Sequence, residues 1–347
     1  MQTCILPASF TIEKKLELKT PDIRDLVFLV TIGFVAIAAV TLTVFNLLNQ
    51  QERHFEKVKS TKVNNMSDLG LVGSPLGSNQ YVANFVDKNP YAKRVELIHF
   101  DITDEGLKPL AKLKKLQELN LNYTLIGDKA LDYLIGCPVK YLSLEETKIT
   151  DEGTKKLARM KRLRFLDLTG TYVTDQGIVF LQPLSDLAGI NLSSTDITDS
   201  SIPILSSNHK KLAKLNLSNS VISDKNLSEL SSLNQLVELN FDNTKVSGKG
   251  VCQIKESLKL RRLNLSSCLV RDSDIPALVS AFPSLEDLRL SNTDISGSGL
   301  MTLGNLKKLK ILEVSKCKKI SRDSLKAFAD KYPECSALEI HALDRLF

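Results

Sequence analysis

The sequence predicts an α/β solenoid, a parallel sheet built one strand per coil, with a short helix carrying each strand back to the next. Three observations predict it. Residues 116–134 (LQELNLNYTLIGDKALDYL) read again from Leu163 (LRFLDLTGTYVTDQGIVFL), sharing the pattern L-x-x-L-x-L-x-x-T-x-I-x-D-x-x-L-x-x-L. The second strand leucine recurs at Leu97, Leu121, Leu144, Leu168, Leu192 and Leu217, then at Phe241, Leu265, Leu290, Val314 and Ile340, in steps of 23 to 26 residues. A fixed period of that size over eleven units marks stacked coils. Within each unit the apolar spacing also changes, from two in L-x-L to three in L-x-x-L, which is a strand followed by a helical turn.

The chain has 347 residues, more than one compact core usually fills, but stacked coils escape that limit because their core grows in one dimension. Forty-six basic and 40 acidic residues give a net charge of +6, too mild for a general nucleic-acid binder. Six cysteines spread over this length form no dense disulfide framework. Cys268 and Cys317 sit two coils apart, roughly 10 Å, beyond bridging reach. A Cys317–Cys335 bond stays open.

In chain order, residues 1–25 form a polar tail with Lys14, Lys15, Lys19 and Arg24. Residues 26–48 (LVFLVTIGFVAIAAVTLTVFNLL) carry no charge, and a helix of that length spans roughly 34 Å, enough to cross a bilayer. The run is long for a cleaved signal peptide and no small-x-small site follows it. Residues 49–79 read as a juxtamembrane segment and a flexible Gly/Ser-rich linker. Residues 80–347 form the repeat domain with its caps, and Tyr81, Val82, Phe85 and Val86 have the helical spacing of an N-terminal cap. Lysine and arginine are balanced on the two flanks of 26–48, so the positive-inside rule ties. A short tail before a large C-terminal part suits a signal-anchor that exports the repeats, to a periplasmic or extracellular side. Unpaired cysteines point toward the cytoplasm, and that side stays open.

On the motifs TKITDEGTKKL and TYVTDQGIVFL, residues 91–347 resemble a leucine-rich repeat protein of the short cysteine-containing-like subtype common in bacteria, with its T-x-I-T-D-x-G-L form. The resemblance implies a curved solenoid with the sheet on its concave side and short helices on its convex side. It implies partner binding and no single activity. Two polar columns have structural readings. Thr124, Thr147, Thr171, Thr195, Ser220, Thr244, Cys268, Thr293 and Cys317 stand where the family often has a backbone-bonding Asn at the bend. Asp104, Asp128, Asp151, Asp175, Asp199, Asp224 and Asp272 each precede a helical turn, where a carboxylate caps free N–H groups. One carboxylate per coil does not assemble a calcium site.

Function is sought on the outward strand positions. Asn191, Asn216, Asn240 and Asn264 form a column that stacked amide bonds would stabilise. Tyr141 and Phe165 occupy equivalent places on adjacent strands and should both face outward. With Tyr123 nearby and Glu118, Glu145, Glu146 and Asp167 around them, they are the candidate protein-binding site, since exposed aromatics rimmed by charge resemble interface hot spots. A basic flank runs through Lys155, Lys156, Arg159, Lys161, Arg162 and Arg164, with smaller clusters at 112–115, 210–214 and 307–310. Weak contact with an anionic surface is its functional reading, a solvated edge the plainer one.

Nothing points to catalysis. His54, His99, His209 and His341 fall in no metal-ligand spacing, and there is no G-x-S-x-G or phosphate loop. No catalytic, cofactor-binding or metal-ligating residue is assigned. The expectation is a non-enzymatic, membrane-anchored module that binds a protein partner. The alternatives are a structural envelope component and an adaptor with cytoplasmic repeats.

Overall fold

The computed structural model describes residues 71–72, 78–254, 259–335 and 337–338, all within the compact unit Asn65–Phe347. The segment 26–48 and the tail before it lie outside the described residues. Among the described residues no helix is long and apolar enough to cross a membrane.

One strand per coil forms a single 12-stranded sheet whose spatial order is the sequence order. Strand β1 is Leu71–Val72, β2 Arg94–Ile98, β3 Glu118–Asn120, β4 Tyr141–Ser143, β5 Phe165–Asp167 and β6 Gly189–Asn191. Then come β7 Lys214–Asn216, β8 Glu238–Asn240, β9 Arg262–Asn264, β10 Asp287–Arg289, β11 Ile311–Glu313 and β12 Ala337–Leu338. Every pairing is parallel and in register, for example Tyr141 opposite Phe165 and Phe165 opposite Gly189. Both leucines of each L-x-L turn inward, as period two requires, and Leu97, Leu121, Leu144, Leu168, Leu192, Leu217, Phe241, Leu265 and Leu290 are buried in one continuous core. Ile340, the last of the predicted series, lies outside the described residues.

Helix α1 (Ser78–Lys88) closes the N-terminal end, burying Val82 and Val86 with Tyr81 and Phe85 packed partly against the core. It starts within the predicted linker, and β1 pairs with β2 through Leu71–Leu97 and Val72–Ile98. The predicted linker 49–79 therefore contains a strand and the start of a helix. The returning segments are short α-helices in some coils, such as Asp151–Leu157 and Asp175–Leu181, and 3-10 turns in others, such as Asp128–Tyr133 and Leu227–Ser232.

Among the described residues, the bends after β2 to β11 each use a left-handed residue, and Gly170 is the only glycine among them. Tyr123, Glu146, Ser194, Asn219 and Asn243 all have φ between 54° and 57°. A non-glycine residue there costs about 1–2 kcal/mol. The conformation aims its N–H at the next coil, so Tyr123 donates to the Glu145 carbonyl at 2.8 Å and Glu146 to Thr169 at 2.8 Å. The polar column that follows then binds the backbone: Thr124 Oγ1 donates to the Leu121 carbonyl at 2.7 Å and Thr171 Oγ1 to Leu168 at 2.6 Å. Cys268 and Cys317 reach instead to the preceding coil, their thiols donating to the Phe241 and Leu290 carbonyls at 3.0 and 3.1 Å. Cys317 and Cys335 are free thiols.

The aspartate column departs from expectation. Asp151 does not cap its own helix; Thr150 does, accepting the Glu152 N–H at 3.2 Å from an extended backbone. The carboxylate instead crosses to the next coil, where Asp151 Oδ1 accepts the Thr174 N–H at 2.8 Å and Oδ2 accepts its hydroxyl at 2.7 Å. Asp128, Asp175, Asp199 and Asp224 hold Thr150, Thr198, Ser223 and Ser247 in the same way. For Asp151 and Asp175, helix position N1 explains it. The N-cap hydroxyl already serves the helix, leaving the aspartate facing the neighbouring coil. The glycine two residues after the next coil's aspartate makes room: a Cβ on Gly177 would lie 2.4 Å from Asp151 Oδ1.

Candidate functional site

The outward face of β2 to β8 encloses a hollow of about 400 Å³. Its floor is the exposed side of the strands and its centre is aromatic. The Tyr141 and Phe165 rings stack at 5.0 Å with 7° between their planes. Their register on β4 and β5 places them one strand spacing apart, so parallel stacking follows from the ladder. Gly189 stands next in the row on β6. A Cβ there would sit 2.5 Å from Phe165 Cδ1, so the ring occupies the space a side chain would need. Asp167 lies beside the stack, its Oδ1 accepting from the Thr169 N–H and hydroxyl at 2.9 and 2.6 Å and its Oδ2 from Asn191 Nδ2 at 3.2 Å. Glu118 lines one side near Arg94, 3.6 Å away, and Lys214 with Glu238 lines the other at 3.4 Å.

Tyr123, Glu145 and Glu146 belong to a second cluster at the bend. Tyr123 is left-handed and stacks on His99 at 4.6 Å, while its hydroxyl donates to Glu145 at 2.7 Å. The hydrogen bond to Glu145, reinforced by that carboxylate's charge, raises the phenol above its usual range. Asn122 locks Glu145 further, donating to its carboxylate at 2.9 Å and accepting its N–H at 3.0 Å. Of the predicted site, then, the hollow gathers Glu118, Tyr141, Phe165 and Asp167, and the bend gathers Tyr123, Glu145 and Glu146.

A family model described as a leucine-rich repeat matches residues 283–304. No curated protein sequence matches the chain. Among solved structures, an internalin from Listeria monocytogenes is 24% identical, covering 68% of this chain and 74% of its own, with a TM-score of 0.51. The chain folds as a leucine-rich repeat solenoid. An internalin C2 from the same species, also 24% identical, covers 58% of this chain and 81% of its own, with a TM-score of 0.48.

The asparagine column of the leucine-rich repeats is not an amide stack. Asn216 Oδ1 accepts the Ser218 N–H at 3.0 Å, and Asn240 and Asn264 accept from Asp242 and Ser266 at 2.9 and 3.0 Å. The strand ends there, and the amide oxygen takes over the N–H that the ladder no longer uses. The basic flank is partly neutralised by the neighbouring repeat: Lys156 pairs with Asp132 at 2.7 Å, Arg164 and Lys211 share Asp186, and Lys310 pairs with Glu286 at 2.8 Å. Lys211 and Arg164 hold the Asp186 carboxyl below its usual range. Among the described residues no group of three or more His, Cys, Asp or Glu could hold a metal ion. Sequence reasoning did not single out Gly189 and did not place Arg94, Lys214 or His99 at the site. Only the registered place of Gly189 beside Phe165 offered a signal.

Proposed function

We propose that this chain is a non-enzymatic protein-binding module, tethered to a membrane by residues 26–48, whose sheet face receives a partner segment across the Tyr141–Phe165 stack. The stack in its hollow is the observation that carries the reading. Tyr141 is 45% exposed, an aromatic platform open to solvent. Among the described residues no Lys or Arg pairs with Asp167, Glu145 or Glu146. An open ring beside carboxylates whose charge no Lys or Arg neutralises favours a partner group that is cationic or has an apolar stem, through cation–π and charge attraction. The basic edge contributes only weak contact with an anionic surface in this reading.

The test is capture of a partner by the full-length chain, compared with the double variant Tyr141→Ala/Phe165→Ala. Loss of a discrete, salt-sensitive partner in the variant supports the reading, and unchanged capture removes the stack from it. Protease accessibility of the repeats in intact cells reports their side of the membrane.

A further inference from the structure

Beyond the sheet, a second short ladder carries a different surface. After most bends one residue bridges to the coil before it, as Tyr172 does to Thr150, Val221 to Thr198 and Leu269 to Ser247. That residue lies between two buried neighbours and points out. Four of these positions are apolar and well exposed: Leu125 at 53%, Tyr172 at 63%, Val221 at 56% and Leu269 at 60%. They fall on every second coil. Lys148, Asp196 and Lys245 stand between them and Asp294 follows, all exposed. The ridge thus reads Leu125, Lys148, Tyr172, Asp196, Val221, and onward Lys245, Leu269, Asp294, Lys319, one per coil. Exposed apolar side chains in regular alternation with charged ones give this ridge both kinds of group that an interface uses.

The order of that row identifies its occupant. Turned end for end about Val221, its span from Lys148 to Asp294 becomes complementary to itself, with Leu125 and Lys319 at the ends outside the match. Lys148 then faces Asp294, Tyr172 faces Leu269, Asp196 faces Lys245, and Val221 faces its own copy. Both directions of each pair occur, which is the property of an isologous two-fold interface. No other nearby register does this. Moving the axis by half a coil sets Lys148 against Leu269 and Tyr172 against Lys245. Moving it by a whole coil sets Asp196, or Lys245, against itself, and like charges in contact disfavour the pairing. The regular coil spacing of about 4.8 Å keeps the two rows commensurate over their length.

We propose that two copies of this chain associate along this ridge, antiparallel about a two-fold axis at Val221. Among the described residues Lys148, Asp196 and Lys245 make no ion pair within their own chain, so they are available across the axis. Asp294 Oδ1 already pairs with Lys319 at 2.7 Å, and its second oxygen serves Lys148 of the other copy. From Lys148 to Asp294 the contact runs roughly 29 Å. A ridge one residue wide buries little area over that length, so the dimer is reversible. The surface is separate from the hollow at Tyr141 and Phe165, and the sheet faces of both copies stay open.

Cross-linking of the full-length chain tests it. Val221→Cys should form a disulfide dimer well above the level of the unsubstituted chain, whose own cysteines set the background. Tyr172→Cys and Leu269→Cys should each remain at background alone and cross-link when mixed. Asp196→Lys in the Val221→Cys chain should remove most of the dimer, and adding Lys245→Asp should restore it. Circular dichroism checks that each variant folds, which exposed positions permit. Background cross-linking by folded Val221→Cys, self-cross-linking by Tyr172→Cys equal to it, or failure of the charge exchange to restore the dimer each overturns the proposal.

Discussion

Asp151 is bound to Thr174 of the following coil by two hydrogen bonds, from the backbone N–H at 2.8 Å and from the hydroxyl at 2.7 Å. The same hydroxyl accepts the Gln176 N–H at 3.2 Å. One threonine therefore caps its own helix while tying it to the coil before. In a solenoid, stability is the sum of coil stabilities and nearest-neighbour contacts. Removing the carboxylate acts on the second of these.

Asp151→Ala strands a part-buried N–H and hydroxyl, and is expected to lower stability by about 1–3 kcal/mol. Asp151→Asn keeps an oxygen for the Thr174 N–H and a donor for its hydroxyl, so its loss should be clearly smaller. Urea midpoints of the two variants against the parent measure this. Equal and negligible shifts would show that the inter-coil bridge contributes nothing.

Two leucine-type positions that look alike in the sequence should behave oppositely. Leu217 is fully buried in the core, whereas Leu269 is 60% exposed on the ridge. Leu217→Ala is expected to cost about 2–5 kcal/mol through lost burial and the cavity it leaves. Leu269→Ala should stay within about 0.5 kcal/mol in the monomer. Denaturant unfolding of both at a protein concentration low enough to keep the chain monomeric compares them directly.

The leucine columns were legible because a period of two followed by three can be satisfied only by a strand and a helical turn. The facing of Tyr141 and Phe165 was legible for the same reason, since register follows from the repeat. The destination of the aspartates was not. A periodic column shows that every coil has a carboxylate but not which coil it serves. The clue lay in Gly153 and Gly177, whose Cβ atoms would meet the aspartate of the preceding coil at 2.3 and 2.4 Å. What the sequence did not show of Tyr123 is its left-handed φ of 57°, which turns it onto His99 at the bend. Leu125 and Leu269 sit beside buried Ile126 and Val270, and composition alone cannot tell the outward residue from its inward neighbour.

Gly189 holds the aromatic stack in place by lacking a side chain. In Gly189→Ala the new methyl group meets Phe165 Cδ1 and Cε1 at 2.5 and 2.8 Å, near the base of the ring, so the ring must rotate away. Overpacking of this kind costs about 1–3 kcal/mol. The expected outcome is a folded protein with altered near-ultraviolet dichroism and with partner capture reduced as in Tyr141→Ala/Phe165→Ala. A near-ultraviolet spectrum identical to the parent would mean the stack tolerates the methyl group.

His209 ends the helix Ser201–Asn208, fully buried, at the place that Phe282 and Tyr332 occupy in two other coils. All three close their helix with the N–H bonded four residues back and a similar backbone. Its Nδ1 lies 3.1 Å from the Leu184 carbonyl, which makes that nitrogen the donor, and Nε2 has no partner. Burial pushes its pKa below the usual value, with the Leu184 bond opposing in part. Below pH about 6.5 the unfolded chain takes up a proton here that the folded chain refuses. The unfolded state then binds more protons, so stability must fall as pH drops from that value toward the lowered folded pKa. Above pH about 6.5 both states are neutral at this ring and its contribution is flat. His209→Phe places an aromatic already accepted at this position, gives up the bond to Leu184, and removes the titration. Urea unfolding between pH 5 and pH 7 should show a shallower loss of stability in the variant than in the parent. Parallel profiles would show that His209 is protonated equally in both states and that its burial is not felt as a charge penalty.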